Sequence, residues 1–145
     1  MLTYTPNREK KLTVWDIIDI PPRGRQLLEA IARGLPYSTY LRVSYYAKVS
    51  NAELVELLGI SVSTLSRRAN TGKLSVSESE KVVRLIQMIN AGIILFDGNK
   101  DKALSWLKSP SRGLNGIHPI TMISTYAGTN EVMELIGRLD NGVFC

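Results

Sequence analysis

The sequence predicts an all-α protein in which a helix-turn-helix domain of the Cro/repressor type precedes a second, smaller helical domain. Apolar residues recur at helical spacing in successive segments of the 145-residue chain. Serine or threonine stands where several helices would begin, and glycine or proline where they would end. We divide the chain into a leader at 1–35, the helix-turn-helix domain at 36–76, a connecting helix at 77–98 and a C-terminal domain at 99–145.

The leader consists of two segments separated by Pro21-Pro22, which no helix can run through. Residues 1–20 mix charged and apolar side chains, and a short amphipathic helix is predicted at 23–33, ended by Gly34. The apolar positions of that helix are Leu27, Leu28, Ile31 and Ala32. Pro36 then begins another helix, whose apolar positions are Tyr40, Leu41, Val43 and Tyr46.

Residues 50–68 carry the pattern of a helix, a tight turn and a second helix. Ser50 and Glu53 fit a capping box at the start of the first helix. Gly59 can adopt the positive φ that ends this helix, and Ile60 would fill the corner between the two helices. Ser61 is a suitable N-cap for the second helix. The predicted inward-facing residues are Leu54, Leu57, Leu58 and Leu65.

Hydroxyl and guanidinium groups are left on the outside of the second helix, which is typical of a helix that enters the major groove of DNA. The candidate DNA-binding residues are Ser61, Ser63, Thr64, Ser66, Arg67, Arg68 and Lys73. Arg68 occupies a position where this motif usually packs an apolar residue, and Val55 occupies one that is usually small. The alternative interpretation is an ordinary αα-hairpin whose polar face is only solvated.

Charge is distributed unevenly along the chain. Residues 1–75 hold eleven Lys/Arg and six Asp/Glu, whereas residues 76–145 hold seven of each. The whole net charge of +5 therefore falls in the part that contains the helix-turn-helix, where phosphate neutralisation would need it. Arg42 and Lys48 are further candidate phosphate contacts, although any single one of these residues could equally serve only to solvate a helix.

A long apolar helix is predicted from about Glu78 to Phe96, with Ser77 and Glu80 as its capping box. Its apolar residues cover more than one stripe of the helix: Val82, Val83, Leu85, Ile86, Met88, Ile89, Ile93, Ile94, Leu95 and Phe96. A helix that is apolar on most sides is buried on most sides. We therefore expect it to serve as a spine between subdomains and as a dimer interface.

The C-terminal part contains shorter elements. Asp97-Gly98-Asn99 reads as a turn and cap, followed by a helix at 101–108 and an irregular stretch at 109–119. Pro119 suits the first turn of a helix to Thr125, which in turn can cap the last helix. That helix has an apolar stripe of Val132, Leu135, Ile136 and Leu139. Asn141-Gly142 ends it, and Val143, Phe144 and Cys145 form an apolar tail.

The chain lacks the patterns of an enzyme, so we predict no catalytic residue, metal or cofactor. His118 has no carboxylate near it in sequence, and no Cys/His spacing suits a metal. Cys145 is the single cysteine and has no neighbour that would activate it. No apolar run is long enough to cross a membrane, and we expect a cytoplasmic protein.

Several motifs occur in the order found in one known family. They are Thr64-Leu65-Ser66-Arg67-Arg68, Gly72-Lys73-Leu74-Ser75, Glu78-Ser79, Trp106-Leu107, Pro110, Leu114-x-Gly116-x-x-Pro119, Thr125-x-x-Gly128, Val132, Leu135-Ile136-Gly137-Arg138 and Gly142-Val143-Phe144. Together they resemble the Xre/MbcA/ParS antitoxins, the partners of RES-domain toxins. The resemblance covers residues 36–145; His118 and Cys145 depart from the residues common in that family.

The resemblance implies an antitoxin that joins a helix-turn-helix to a toxin-binding domain. It implies a NAD-consuming RES-domain toxin as direct partner, a homodimer within a larger complex, and repression of its own operon through double-stranded operator DNA. An apolar tail with a terminal carboxylate could fill a cleft built for an anionic dinucleotide. The candidate toxin-binding residues are Arg138, Leu139, Asn141, Gly142, Val143, Phe144 and Cys145.

Three alternatives stay open at this point. The chain could be a stand-alone transcriptional repressor whose C-terminal half only dimerises. The helix-turn-helix could be an interaction module that does not bind DNA. The tail could be a frayed terminus that packs on its own helix.

Overall fold

The computed structural model describes residues 13–142, and within this range the chain is all-α, as predicted. The helices are α1 (Val14–Ile18), α2 (Gly24–Arg33), α3 (Tyr37–Ala47), α4 (Asn51–Leu58), α5 (Val62–Thr71), α6 (Val76–Leu95), α7 (Lys100–Leu107) and α8 (Tyr126–Asp140). Short 3₁₀ helices lie at Arg112–Leu114 and Pro119–Ser124. Extended pairing among the described residues is limited to two isolated bridges, Pro36 with Lys73 and Ser111 with Ile117.

Helix α6 is the spine of the fold. It packs against α1, α2, α3, α4, α7, α8 and the 3₁₀ helix Pro119–Ser124. Val82, Leu85, Ile86, Met88 and Ile89 are completely buried along it. The predicted role as a spine is therefore confirmed. Elements of the same chain cover most of this helix and leave Ile94, among its predicted apolar residues, 58% exposed. Dimerisation through this helix stays a prediction.

The start of α6 differs from the predicted one. The capping box is formed by Ser75 and Glu78, two residues before the predicted pair of Ser77 and Glu80. Both pairs have the right spacing, but tertiary contacts select the earlier one. Ser79 donates its hydroxyl to the carbonyl of Ser75 and accepts the N–H of Leu35 at 2.9 Å, so it has to face inward. Ser77 and Glu80 are exposed.

The predicted apolar faces of α2 and α3 are partly wrong. Leu28 is 69% exposed and Leu41 is 47% exposed, and Ala32 is also exposed. In α2 the fully buried residues are Leu27 and Ala30. This helix packs mainly against α6, and a single neighbouring helix covers only a narrow stripe of its surface.

A backbone contact connects the start of α3 to the end of α5. The N–H of Tyr37 donates to the carbonyl of Gly72 at 2.9 Å, and the N–H of Leu74 donates to that of Leu35 at 2.8 Å. Gly34 precedes this contact with φ +82°, and a Cβ at this position would collide with the carbonyl oxygen of Leu74. The segment before α3 and the segment after α5 are therefore in direct backbone contact at Gly34 and Leu74.

The C-terminal elements follow the prediction with small changes. Asn99 caps α7, Thr125 caps α8, and Pro119 begins a helix that is 3₁₀ rather than α. The stretch 109–119 folds back on itself through the bridge between Ser111 and Ile117. Within residues 13–142, no helix is long and apolar enough to cross a bilayer.

Candidate functional site

The helix-turn-helix forms at the predicted residues. The hydroxyl of Ser50 accepts the N–H of Glu53 at 3.2 Å, which is one half of the predicted capping box at α4. Gly59 ends α4 with φ +64°, and Ile60 is 3% exposed at the corner. The hydroxyl of Ser61 accepts the N–H of Thr64 at 3.2 Å and so caps α5. Local signals thus set both the length of α4 and the start of α5.

One face of α5 is directed to solvent. It consists of Ser63, Ser66, Arg67 and Asn70, which are all exposed and follow the i, i+3, i+4, i+7 spacing. We call these four residues the outer face of α5. Leu65 is 6% exposed and anchors the opposite side. No acidic residue lies in α5, so phosphate would meet no like charge on this helix.

Asn70 was missed by the sequence reasoning, although its spacing from Ser63 could have revealed it. An asparagine on such a face can bond adenine through two hydrogen bonds. Four of the candidates do not lie on the outer face, namely Ser61, Thr64, Arg68 and Lys73. Thr64 is half-buried, and Ser61 uses its hydroxyl inside the cap, where it also donates to Thr64 Oγ1 at 2.8 Å.

Arg68 also points away from the outer face, towards the start of α6. Its Nε lies 2.7 Å from Oε1 of Glu78, and its Nη2 lies 3.4 Å from Oε2. Burial acts to raise the pKa of Glu78, but the bonds from Arg68 and Ser75 outweigh it and hold that pKa below the ordinary value. Arg68, with its ion pair to Glu78, thus stands at the position where a helix-turn-helix usually packs an apolar residue.

The other candidate phosphate contacts have different surroundings. Lys73 is exposed and follows the C-cap of α5. Arg42 donates to the carbonyl of Ile18 at 3.3 Å and so connects α3 to α1. Lys48 lies 3.2 Å from Asp101 in an exposed ion pair. Such an exposed pair contributes little to stability and leaves Lys48 free to exchange partners.

Three lysines, Lys48, Lys100 and Lys108, connect the helix-turn-helix domain to the C-terminal half. Lys108, the C-cap of α7, donates to the carbonyls of Ala47 at 2.7 Å and Lys48 at 3.0 Å, where α3 ends. A cation there satisfies carbonyls without helical partners and complements the helix dipole. Burial lowers the pKa of Lys108, while Glu53 opposes this effect. Lys100 also lies 3.8 Å from the centre of the Tyr46 ring.

We expect Lys108→Met to destabilise the protein by about 1–2 kcal/mol, because two carbonyls lose a charged donor in a partly buried position. Thermal unfolding followed by circular dichroism measures the change. Lys102→Met is the matched control, because Lys102 is an exposed lysine of α7, the helix that Lys108 caps. Equal melting temperatures for the two variants would show that Lys108 contributes nothing to the contact between α3 and α7.

The candidate toxin-binding residues cluster where α8 ends. Arg138 and Leu139 are half-buried in its last turn, and Asn141 and Gly142 are exposed. Within residues 13–142, Nε of Arg138 is buried without a hydrogen-bond partner. Val143, Phe144 and Cys145 lie outside the described residues. The structure therefore brings the first four candidates together at one end of α8.

A groove of about 510 Å³ opens beside this end of α8. It is lined by Trp106, Pro110, Ser111, Arg112, Gly113, Leu135 and Leu139. Of these, only Leu139 was among the candidate site residues. Pro110, Ser111, Arg112 and Gly113 were missed because the irregular stretch 109–119 gives no periodic signal that would show which of its residues meet α8. Trp106 and Leu135 lie in helices, where the sequence indicated only apolar positions. The groove combines an aromatic ring, aliphatic side chains and one exposed arginine.

Comparison with protein-family models assigns both halves of the chain. Residues 26–87 match the Antitoxin Xre-like helix-turn-helix domain. Residues 91–142 match the Antitoxin Xre/MbcA/ParS C-terminal toxin-binding domain. The boundary between the two models falls within α6, the helix that both halves share as their core.

Relatives align over nearly the whole chain. The chain is 33% identical to Antitoxin Xre of Yersinia enterocolitica and 31% identical to Antitoxin Xre of Photorhabdus laumondii, in each case over 99% of both chains. It is 24% identical to the Prs ADP-ribosylating antitoxin of a Sphingobium species, over 79% of this chain and 77% of that relative. With an Xre-like helix-turn-helix followed by a toxin-binding domain, the chain belongs to the Xre family of antitoxins.

Proposed function

We propose that this antitoxin silences a RES-type toxin that consumes NAD, and that it represses its own operon through the helix-turn-helix. The observation that carries the proposal is the pair of separate surfaces. The outer face of α5 lies in the domain that matches the helix-turn-helix model, and the groove beside α8 lies in the toxin-binding domain. Each surface can be occupied without using residues of the other.

The toxin would be held by the end of α8, the adjoining groove and the tail. Trp106 and Leu139 offer an apolar contact, and Arg112 and Arg138 offer charged donors to carboxylates of the toxin. The tail, which reaches on to Phe144 and Cys145, would enter the dinucleotide cleft. The name of the Sphingobium relative refers to ADP-ribosylation, a reaction that consumes NAD, and this supports a NAD-consuming partner.

The DNA would be read by the outer face of α5 in the major groove. Hydroxyls and the amide of Asn70 offer hydrogen bonds to base edges, and Arg67 can bond guanine through both of its terminal nitrogens. A homodimer would place two such helices in successive major grooves, about 34–36 Å apart. A toxin that joins several antitoxins would raise their avidity for the operator.

Co-expression with the toxin encoded beside it tests this function. We expect the two proteins to purify as one complex, cell growth to be restored, and NAD consumption by the toxin to stop. The complex should also bind the DNA that precedes its own coding sequence. A stand-alone repressor would bind that DNA but would neither purify with the toxin nor rescue growth. Light scattering of the antitoxin alone measures whether it is a dimer.

A further inference from the structure

The ion pair between Arg68 and Glu78 joins the last turn of α5 to the first turn of α6. The side chain of Arg68 is 27% exposed and that of Glu78 is 10% exposed. Two parallel hydrogen bonds between a guanidinium and a carboxylate restrict orientation more than a single contact does. The pair therefore restricts how α5 can turn relative to α6.

Glu78 also belongs to the cap of α6. Its carboxylate accepts the N–H of Ser75 at 2.8 Å, and its own N–H donates to the hydroxyl of Ser75 at 3.1 Å. The same carboxylate oxygen, Oε1, receives both Ser75 N–H and Arg68 Nε. Because most other helices pack against α6, an arginine held at its cap fixes α5 relative to the core of the molecule.

The backbone bonds just beyond α5 hold its end, but few side chains within the helix set its rotation. Of its ten residues, Leu65 is the one that is buried. A helix anchored by a single apolar side chain can rock about that contact, and a rocking helix loses the alignment that hydrogen bonds to base edges require. Arg68 follows Leu65 by three residues, so it supplies a second anchor one turn further along the helix.

We infer that Arg68 is a positioning residue for DNA recognition, which acts through Glu78 to set the angle of the outer face of α5 and does not itself contact phosphate. The inference rests on the proposed operator binding. It assigns Arg68 and Lys73, two cations five residues apart, to different tasks: the first orients the reading helix and the second remains available to the DNA backbone.

The two roles predict opposite effects for Glu78→Gln. If Arg68 contacted phosphate, removing a neighbouring carboxylate would leave operator binding unchanged or strengthen it, because a repulsive charge would be lost. If Arg68 positions α5, the same change weakens binding, because the guanidinium loses its charged partner. The slope of log affinity against log salt concentration distinguishes the two roles independently. Each lost phosphate contact reduces the magnitude of this slope by about 0.9.

The experiment titrates the full-length chain with a labelled duplex that spans the region preceding its own coding sequence, at five salt concentrations, beside a scrambled duplex. The variants are Arg68→Gln, Arg68→Lys and Glu78→Gln. Lys73→Gln is the control for a phosphate contact, and Arg67→Ala is the control for a base contact. Thermal unfolding of each variant is recorded, and titrations are run well below the lowest midpoint.

We expect Arg68→Gln and Glu78→Gln each to weaken operator binding about tenfold, with the double variant no weaker than either single one. The salt slope should stay that of the wild type, and Arg68→Lys should not restore affinity, because an ammonium cannot form the paired bonds. Lys73→Gln should lower the slope. Arg67→Ala should reduce affinity for the operator about 5- to 150-fold more than for the scrambled duplex.

The inference is overturned if Arg68→Gln lowers the salt slope as Lys73→Gln does, or if Glu78→Gln binds the operator as well as the wild type or better. The inference is also overturned if Arg68→Gln weakens binding to the operator and to the scrambled duplex by the same factor. If the wild-type chain does not prefer the operator duplex, the proposed DNA binding fails, a result that is visible before any variant is compared.

Discussion

Replacing Gly34 with alanine is expected to lower the stability of the protein by on the order of 4 kcal/mol, one of the larger effects that a single substitution produces. Gly34 has φ +82° and ψ 125°, a combination that side chains other than hydrogen strongly disfavour. The added Cβ would also collide with the carbonyl oxygen of Leu74. The backbone itself would have to move, because no rotamer change can relieve this contact.

The expected loss of stability is larger than the clash at Gly34 alone would cause, because three hydrogen bonds depend on the close contact between Gly34 and Leu74. They join Leu35 to Ser79, Tyr37 to Gly72, and Leu74 to Leu35. Moving the segment around Gly34 away from Leu74 would weaken the hydrogen bonds that join the start of α3 to the end of α5. We therefore expect the melting temperature to fall by roughly 10 °C or more, as measured by calorimetry or circular dichroism.

Gly72→Ala is the control for the clash. Gly72 also has a positive φ, at +80°, but a Cβ built there meets nothing within 4 Å. Gly72→Ala should lower the free energy of unfolding by about 1–2 kcal/mol, because only the left-handed backbone conformation disfavours alanine there. If the two variants melted at the same temperature, the close approach to Leu74 would be shown to have no energetic importance.

Removing the tail is expected to weaken neutralisation of the toxin severely. In a chain that ends at Arg138, the candidate contacts Leu139, Asn141, Gly142 and Val143–Cys145 are all lost. If the tail fills the dinucleotide cleft, its loss removes the central contact of the interface, and such contacts are worth about 2–4 kcal/mol each. We expect affinity for the toxin to fall by roughly 100-fold or more. NAD consumption measured against increasing antitoxin gives the result.

A second truncation separates loss of the tail from damage to the fold. A chain that ends at Gly142 keeps α8 and every residue that the structure describes, and lacks only Val143, Phe144 and Cys145. It should melt like the full chain and still leave the toxin active. Full inhibition by this shorter chain would mean that the groove and α8 suffice, and that the tail does not block the cleft.

The sequence predicted the local features of the fold well. The turn at Gly59, the caps at Ser50, Ser61, Asn99 and Thr125, and the family itself could all be inferred before the structure. Each of these depends on neighbours within a few residues: a hydroxyl reaches the N–H groups of its own first turn, and a glycine adopts a positive φ at the end of its own helix. A single sequence contains that information in full.

Other features depended on which elements meet in space. Two Ser-x-x-Glu pairs could have capped α6, and the contact between Ser79 and Leu35 selected the first. Leu28 and Leu41 fit helical stripes but are exposed, because too few neighbours cover α2 and α3. Lys108 lies about 60 residues from the carbonyls of Ala47 and Lys48 that it binds where α3 ends, and no local pattern relates these positions.

By itself, the sequence determined that this chain is all-α with a helix-turn-helix, because these properties follow from helical periodicity and caps. The order of its motifs added the resemblance to a family of antitoxins. Only the tertiary structure decided that Arg68 faces Glu78 while Arg67 faces solvent, although the two arginines are adjacent. Consecutive helical residues point about 100° apart, so their roles depend on what lies on each side of the helix. That arrangement is set by the packing of α6, which the local pattern around Arg68 does not contain.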